Sequence, residues 1–366
     1  MTGACETVLI TGGAGFVGTN LADRLVRDGD RVLLLDNLSR AGVERNLAWL
    51  RAAHGDAVGF EVADIRDADA VGRAVARSTQ VFHFAAQVAV TTSLDDPLTD
   101  FEVNARGTLT LLEAIRARPV PPPLVFTSTN KVYGKLGGIA MDKAGDRWEP
   151  DSADLRRRGV AEDQPLDFHS PYGCSKGAAD QYVLDYARTY GLPAVVFRMS
   201  CIYGPHQFGT EDQGWVAHFL IRALDGAPIT LYGDGGQVRD ILHVDDLVEA
   251  FLLARRHIAG IGGRAFNIGG GPANAVSLLH VIERIGALTG RRPDLAFGAW
   301  RPGDQAWYVS DTTGFAAVTG WRPRIAAADG IAGLYRWLRD NRGREAAAPS
   351  QQRPSQQRPS LERVAS

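Results

Sequence analysis

The sequence predicts an α/β protein with a doubly wound parallel sheet and a smaller, interleaved C-terminal domain. Short apolar runs alternate with amphipathic stretches along the first half of the chain, so we expect strands at residues 8–10, 32–35, 81–84 and 124–126 and helices at residues 20–28 and 108–116. The strand candidates are apolar throughout, which is typical of parallel strands that helices cover on both faces. Strands and helices that alternate in this way favour a doubly wound sheet.

The composition changes along the chain and indicates where domains begin. We expect the first domain to span residues 1–203, with residues 237–272 returning to it, and the smaller domain to hold most of residues 204–342. Residues 135–167 form a polar segment that is long for a loop, so we expect it to be functional or to form an interface. Residues 345–366 repeat the letters Q-Q-R-P-S and are predicted to be disordered.

The overall composition excludes several classes of function. Lys and Arg number 40 against 42 Asp and Glu, and the formal net charge of −2 gives no sign of binding to nucleic acid or a membrane surface. The apolar runs fall well short of the ~20 residues that span a bilayer, and residues 1–7 are too short and too polar for a secretory signal. Cys5, Cys174 and Cys201 lack metal-ligand spacing and suggest reduced thiols. We therefore expect a cytoplasmic protein without a metal site.

A glycine-rich turn follows the first predicted strand. In T-G-G-A-G-F-V-G, Gly12, Gly15 and Gly18 would let backbone N–H groups approach a pyrophosphate at a helix N-terminus, although a plain tight turn is the simpler interpretation. Asp36 ends the second strand, where an acid binds an adenosine ribose and repels a 2′-phosphate, while Arg40 leaves some room for NADP. Together these features predict an NAD-binding Rossmann domain.

A second motif, S-P-Y-G-C-S-K, is typical of a helix start, with Ser170 as the N-cap and Pro171 at the first helical position. Tyr172 and Lys176 are four residues apart and share one helical face. The ammonium, and a nicotinamide cation when present, would favour a phenolate that accepts a hydroxyl proton as hydride leaves carbon. Residues 127–129 offer hydroxyls to the same oxygen. A chance surface pair is the competing interpretation, and the glycine turn upstream argues against it.

These motifs together resemble the extended short-chain dehydrogenase/reductases, the family of sugar epimerases and dehydratases. The resemblance covers residues 7–337 and includes H-F-A-A at residues 83–86, T-S-T-N-K-V-Y-G at residues 127–134, R-M-S-C-I-Y-G-P at residues 198–205 and R-P-G-D at residues 301–304. It implies Tyr172, Lys176 and Thr129 as catalytic residues. It also implies an NAD site of Gly12, Gly15, Phe16, Val17, Asp36, Asn37, Ser39, Arg40, Asp64, Ile65, Ala85, Ala86, Gln87, Asn104, Thr127, Tyr172 and Lys176.

Two positions of the resemblance leave alternatives open. Asp64 either meets the adenine or is an ordinary helix cap. Cys201 stands where many relatives carry a substrate-contacting Asn, so its role is open.

The resemblance further implies a site for a nucleotide-activated sugar. Arg239 and Arg301 would hold its diphosphate, a role that suits the guanidinium, with a surface ion pair as the alternative for each. The predicted substrate-binding residues are Gln87, Thr129, Asn130, Lys131, Cys201, Gln207, Gln213, Arg239, Arg301 and Asp304.

The residues after Thr129 bear on the kind of reaction. The related dehydratases carry Asp-Glu at the places that Asn130 and Lys131 occupy here, and use these acids to move protons as water is lost. Asn does not titrate, and Lys cannot replace a carboxylic acid in the same geometry. We therefore expect no elimination.

Longer stretches near the site, at residues 87–93, 129–134, 166–182 and 203–216, resemble the subfamily of CDP-paratose 2-epimerases. This resemblance implies oxidation at C2, presentation of the other face of the 2-keto sugar, and reduction, with Tyr172 as base and then acid. Another base (GDP, UDP or ADP) and another hexose or heptose stay open, as do a 4-epimerase, a net dehydrogenase and a non-catalytic NAD-sensing protein. We expect a homodimer or homotetramer through helices that include the Y-x-x-x-K helix.

Overall fold

The computed structural model describes residues 7–301 and 303–345, and the predicted disordered tail lies outside them except for Glu345. Its strands are β1 (Thr7–Thr11), β2 (Arg31–Asp36), β3 (Val58–Val62), β4 (Gln80–His83), β5 (Leu124–Thr129), β6 (Met141–Ala144), β7 (Arg147–Pro150), β8 (Ala194–Met199), β9 (Cys201–Tyr203), β10 (Ile229–Tyr232), β11 (Val238–His243), β12 (Ala265–Ile268), β13 (Ala275–Ser277), β14 (Leu295–Gly298) and β15 (Trp307–Tyr308).

The helices alternate with these strands through most of the chain. They are α1 (Phe16–Arg27), α2 (Val43–His54), α3 (Ala68–Ala76), α4 (Val90–Asp95), α5 (Pro97–Phe101), α6 (Gly107–Arg116), α7 (Ala153–Arg158), α8 (Ser170–Tyr190), α9 (Trp215–Leu224), α10 (Val244–Ile261), α11 (Leu278–Thr289), α12 (Thr313–Thr319) and α13 (Ala327–Glu345). A π-helical turn, Glu102–Arg106, joins α5 to α6.

The predicted parallel sheet is confirmed. Within the described residues it has seven strands in the order β12-β8-β5-β4-β1-β2-β3, and every neighbouring pair is parallel. Alternate residues of each strand enter opposite cores: Ile10 and Leu34 pack with α1, α2 and α10, whereas Leu9 and Leu33 pack with α3, α6 and α8. Burial on both faces explains why these strands are apolar throughout.

A smaller sheet lies beside the carboxyl ends of the parallel strands. It joins β9, β11, β13 and β15, so Val238–His243, which the sequence assigned to the returning part of the first domain, pairs here instead. The chain returns to the main sheet one element later, through α10 and β12. Strand β11 carries Arg239, Asp240 and His243 among its six residues, unlike the apolar strands of the parallel sheet.

Three local features differ from the sequence expectations or refine them. The polar segment 135–167 contains the hairpin β6–β7 and α7 rather than a plain loop. The N-cap of α8 is His169, one residue before the predicted Ser170, whose φ is +63° and whose hydroxyl accepts a hydrogen bond from the Gly173 N–H at 3.3 Å. In the part of the chain that the structure describes, no helix is long and apolar enough to cross a membrane.

Candidate active site

A large cleft opens where β1, β2, β4 and β5 end, between the parallel sheet and the smaller sheet. Its volume is about 670 Å³. Doubly wound sheets bind ligands at the carboxyl ends of the strands, where the strand order reverses, and that point lies here between β1 and β4. All of the predicted substrate residues and all but two of the predicted cofactor residues border this one space.

The glycine turn brings its backbone close to neighbouring backbone. Gly12 has φ +68°, and a Cβ there would lie 2.7 Å from the Ala85 nitrogen. A Cβ on Gly18 would lie 2.6 Å from the Gly12 oxygen, so this glycine lets α1 pack on the turn. Helix α1 begins after Gly15 without a side-chain cap and without an acid in its first turn. Its N-terminal N–H groups and positive dipole end are therefore suited to an anion.

Asp36 sits at the end of β2 with its carboxylate held in place from two sides. It accepts hydrogen bonds from the Leu38 N–H at 2.9 Å and from the Ala14 N–H at 3.1 Å. Burial raises the pKa of Asp36, while these backbone donors oppose the shift. The carboxylate thus borders the cleft beside the glycine turn, where an adenosine ribose would meet it.

The predicted NAD residues that line the cleft are Gly12, Gly15, Phe16, Val17, Asp36, Asn37, Ser39, Arg40, Ile65, Ala85, Ala86, Gln87, Thr127, Tyr172 and Lys176.

Two others lie outside its wall. Asp64 accepts a hydrogen bond from the Arg66 Nε at 2.8 Å, and α3 is capped by Asp67, so Asp64 does not cap that helix; its contact with the adenine stays a prediction. Asn104 is buried behind the wall, where its Oδ1 accepts from the Gln87 N–H at 2.9 Å.

The three predicted catalytic residues meet in the cleft. Thr129 ends β5, and Tyr172 and Lys176 lie on the first turns of α8, which packs beside that strand. The Tyr172 side chain is hydrogen-bonded with that of Thr129. The Lys176 Nζ donates to the Thr127 carbonyl at 2.6 Å and lies 4.3 Å from the centre of the Phe126 ring. The surface-pair interpretation is wrong, because both side chains are buried.

The electrostatics of this group differ from the expectation that Lys176 favours a phenolate. Burial raises the pKa of Tyr172 to about 12, although the hydrogen bond with Thr129 opposes the shift. Burial lowers the pKa of Lys176 to about 7, while Asp180 and Asp100 oppose it. The protein alone therefore holds Tyr172 as a phenol at neutral pH, and further positive charge in the cleft is needed to make it a base.

The far end of the cleft carries a cluster of charged side chains. Asp304 accepts from Arg239 at 2.7 Å and from Lys131 at 3.3 Å, so one carboxylate joins two cations. Burial alone would raise the pKa of Asp304, but Arg239 and Lys131 outweigh it and lower that pKa. Burial lowers the pKa of Lys131. The pair of cations faces the space next to Thr129.

Arg301 forms a second cationic position. The sequence predicted this arginine but not the residues around it. Its guanidinium lies 4.0 Å from the centre of the Tyr232 ring, 3.5 Å from Asp212 and 3.9 Å from Glu211. Glu211, Asp212 and Tyr232 line the cleft, and none of them was among the predicted site residues. Glu211 and Asp212 lie in the stretch 203–216, but no local sequence pattern connects them with an arginine about ninety residues later.

The remaining predicted substrate residues also border the cleft: Gln87, Asn130, Cys201, Gln207 and Gln213. The Asn130 amide donates to Gln305 at 3.2 Å, and its oxygen accepts from the Thr129 hydroxyl at 3.3 Å. Burial raises the pKa of the Cys201 thiol. Within residues 7–301 and 303–345 there is no group of three His, Cys, Asp or Glu side chains that could hold a metal ion.

The fold and the cleft define a dinucleotide-dependent enzyme, and the chain belongs to the NAD dependent epimerase/dehydratase family, which matches residues 8–269. This confirms the predicted extended short-chain dehydrogenase/reductase fold, the enzyme class and the cofactor NAD.

Among known proteins, the chain is 41% identical over 337 residues to CDP-paratose 2-epimerase of Salmonella typhi, covering 90% of this chain and 98% of that protein. The narrower resemblance is thereby confirmed.

Two solved structures with NAD bound show the same architecture. One is UDP-glucose 4-epimerase of Thermus thermophilus, with a TM-score of 0.76, 35% identity and coverage of 91% of this chain and 99% of that one. The other is a dTDP-glucose 4,6-dehydratase of Streptomyces venezuelae, with a TM-score of 0.79, 31% identity and coverage of 92% and 98%. The fold is thus shared by epimerases and dehydratases, so the reaction must be argued from the side chains.

Proposed function

We propose that this enzyme is a nucleotide-sugar 2-epimerase that oxidises C2 transiently and reduces it again on the other face. One observation carries the proposal: a tyrosine, a threonine and a lysine suited to oxidation lie next to Asn130 and Lys131, where an eliminating enzyme needs two acids. The similarity to CDP-paratose 2-epimerase supports C2 as the carbon and a CDP-sugar as the substrate.

The residues of the cleft fit NAD. The turn at Gly12 and Gly18 leaves no room for a Cβ, the N-terminus of α1 has no side-chain cap, and Asp36 borders the same end. When bound, NAD supplies the acceptor and later the donor of the hydride. The cofactor has the same oxidation state before and after the cycle. We therefore expect NAD to copurify with the protein or to saturate its site at low concentration.

Tyr172 would exchange the proton of the sugar hydroxyl. Its oxygen takes that proton as C2 becomes a ketone and gives it back as the ketone is reduced, with Thr129 orienting the same oxygen. The positive charge of Lys176 and of the oxidised cofactor would offset the burial that raises the pKa of Tyr172. The proton and the hydride both return to the sugar and the C2 oxygen never leaves it, so the reaction is an isomerisation.

Arg239 and Arg301 would hold the diphosphate while the sugar turns. Arg239 is buried and joined to Asp304, and Arg301 stacks on Tyr232, so both guanidinium groups are already placed. An anchor of this kind retains the ketone without fixing the sugar ring itself. Gln87, Lys131, Cys201, Gln207 and Gln213 would line the space in which the ring turns.

A 4-epimerase is the second candidate, favoured by the match to the Thermus thermophilus UDP-glucose 4-epimerase. The same Tyr172 chemistry would serve it, with the sugar shifted so that C4 meets the cofactor. A net dehydrogenase would need an oxidised product to leave, and an NAD-sensing protein would have no use for a buried tyrosine, threonine and lysine together.

We also propose that the protein assembles as a homodimer or homotetramer. Leu98 and Phe101 of α5 and Tyr182 of α8 are 69%, 50% and 44% exposed, and α5 packs against α8, so these two neighbouring helices both present apolar side chains to solvent. The mass in solution, measured by light scattering, tests this assembly.

A product screen tests the proposed reaction. The protein is incubated with CDP-, UDP- and GDP-sugars without an added reductant, and products are identified by NMR, with Tyr172→Phe protein as the control. The proposal expects a C2 epimer and no accumulated NADH. A 4-keto-6-deoxy product would contradict the argument from Asn130 and Lys131, accumulated NADH would indicate a dehydrogenase, and no turnover with NAD bound would favour a sensor.

A further inference from the structure

A buried carboxylate that the proposed chemistry does not use lies behind the catalytic helix. Asp100 is in α5 and is fully buried. Its Oδ2 accepts from the Ser175 hydroxyl at 2.5 Å, and its Oδ1 accepts from the Asn104 amide at 3.1 Å. Ser175 lies between Tyr172 and Lys176 on α8. Burial raises the pKa of Asp100, while the hydrogen bond from Ser175 and the charge of Lys176 oppose this shift and favour the ionised form, whose two oxygens both accept here.

The same network reaches the wall of the cleft. The Asn104 amide also donates to the Ser175 hydroxyl at 3.0 Å and to the Gln87 carbonyl at 3.1 Å, while its oxygen accepts from the Gln87 N–H. Asn104 lies in the π-helical turn Glu102–Arg106, a type of turn that often marks a functional position. The Asn104 side chain thus connects the loop at Gln87, between β4 and α4, to α8, the helix that carries Tyr172 and Lys176.

The charges around Lys176 come from several elements. Asp100 of α5 and Asp180 of α8 both act to keep the lysine protonated, and His83 of β4 is held neutral, its pKa lowered by burial to about 3. Asp180 is already in a bidentate ion pair with Arg198, at 2.9 and 3.0 Å. Asp100 instead accepts hydrogen bonds from the neutral side chains of Ser175 and Asn104.

We propose that Asp100 is a positioning residue of the active site, which holds the loop at Gln87 against α8 and, together with Asp180, supplies buried negative charge near Lys176. This inference rests on the proposed function only in the roles of Tyr172 and Lys176, and not on the sugar or the carbon that is inverted.

Removal of the Asp100 charge should lower the pKa of both Lys176 and Tyr172. Asp100 favours the protonated forms of both Lys176 and Tyr172, because a nearby negative charge stabilises an ammonium and destabilises a phenolate. In Asp100→Asn, Tyr172 should therefore ionise at a pH lower by about one unit, a size expected for one buried charge nearby. A purely structural role would not predict this direction.

The experiment follows the ultraviolet absorbance of tyrosinate during a pH titration, with and without NAD, and needs no substrate. The signal of Tyr172 is the difference between each protein and the same protein carrying Tyr172→Phe. Asp96→Asn is the matched control: Asp96 is exposed, lies four residues before Asp100 and caps α5, a role that Asn also serves. Asp100→Ser replaces Asp100→Asn if the latter does not fold.

We expect the pH midpoint of Tyr172 ionisation to fall in the neutral Asp100 variant and to stay unchanged in Asp96→Asn. Asp100→Glu, which keeps the charge, should restore the midpoint toward that of the wild type. An unchanged midpoint in the neutral Asp100 variants, or an equal shift in Asp96→Asn, would overturn the proposal. Neither result depends on which nucleotide sugar is the substrate. Failure of the Asp100 proposal can therefore be distinguished from failure of the proposed function.

Discussion

The two ends of the cleft are built in different ways. The cofactor end consists of one continuous stretch, in which β1, the glycine turn, α1 and the end of β2 follow one another and expose backbone N–H groups and a single carboxylate, Asp36. The substrate end gathers charged side chains from separate segments: Lys131 after β5, Glu211 before α9, Arg239 in β11 and Arg301 after β14.

The cofactor end of the cleft has features that suit the whole family, whereas the substrate end has features that can differ from one member to another. Backbone geometry at the cofactor end suits any member that binds NAD, because it depends on glycines and on the sheet. Charged side chains at the substrate end can change one at a time, so they set the reaction and the substrate. Removing the proton-exchanging group between the two ends should stop the chemistry, whereas replacing a cofactor anchor or a diphosphate anchor at either end should mainly change binding.

The largest effect is expected between the two ends, at Tyr172. Tyr172→Phe removes one hydroxyl and should lower kcat by ~10²–10⁴-fold while NAD binding is retained, because a general acid–base group contributes this much. Tyr182→Phe, on the exposed side of the same helix, is the control and should leave kcat unchanged. Near wild-type turnover in Tyr172→Phe would mean that another group exchanges the proton.

A second prediction concerns the cofactor end. NADP should bind about 100-fold more weakly than NAD, because its 2′-phosphate would meet the Asp36 carboxylate. Isothermal titration at mildly alkaline pH, where the carboxylate is ionised, measures both affinities. Asp36→Asn should narrow the gap; equal binding of the two cofactors by the wild type would overturn the assignment of Asp36.

A third prediction compares the two arginines of the substrate end. Arg239→Lys should raise the Kd for a CDP-sugar about tenfold, about 1.4 kcal/mol, because Lys cannot reproduce the paired hydrogen bonds of a buried guanidinium. Arg301→Lys should have a smaller effect, since Arg301 is more exposed and its partners Glu211 and Asp212 lie in solvent-accessible positions. NAD affinity should be unchanged in both, and a larger effect at Arg301 would reverse their ranking.

Local signals predicted much of the fold and of the cofactor end. The apolar strands, the Gly12–Gly18 spacing and the four-residue step from Tyr172 to Lys176 are each complete within a few residues. They therefore predicted the parallel sheet and the buried pair on α8.

Contacts between distant segments could not be predicted in this way. The sequence does not show that the Asn104 side chain contacts Gln87 and Ser175 behind the wall of the cleft, and its contact with the cofactor stays a prediction. Strand β11 pairs with β9 and β13 in the smaller sheet, and its own residues do not reveal these partners.

The fate of the hydrogen at C2 tests the proposed mechanism most directly. Substrate deuterated at C2 is converted in H₂O, unlabelled substrate is converted in D₂O, and the label in each product is located by NMR. Transient oxidation predicts that the epimer keeps its C2 deuterium in H₂O and gains none from D₂O, because the hydride stays on the cofactor between the two transfers. Retention of the label with inversion at C4 would support the same transient oxidation at C4, which is the reaction of the second candidate, a 4-epimerase. Substantial solvent deuterium at C2 would contradict transient oxidation at that carbon.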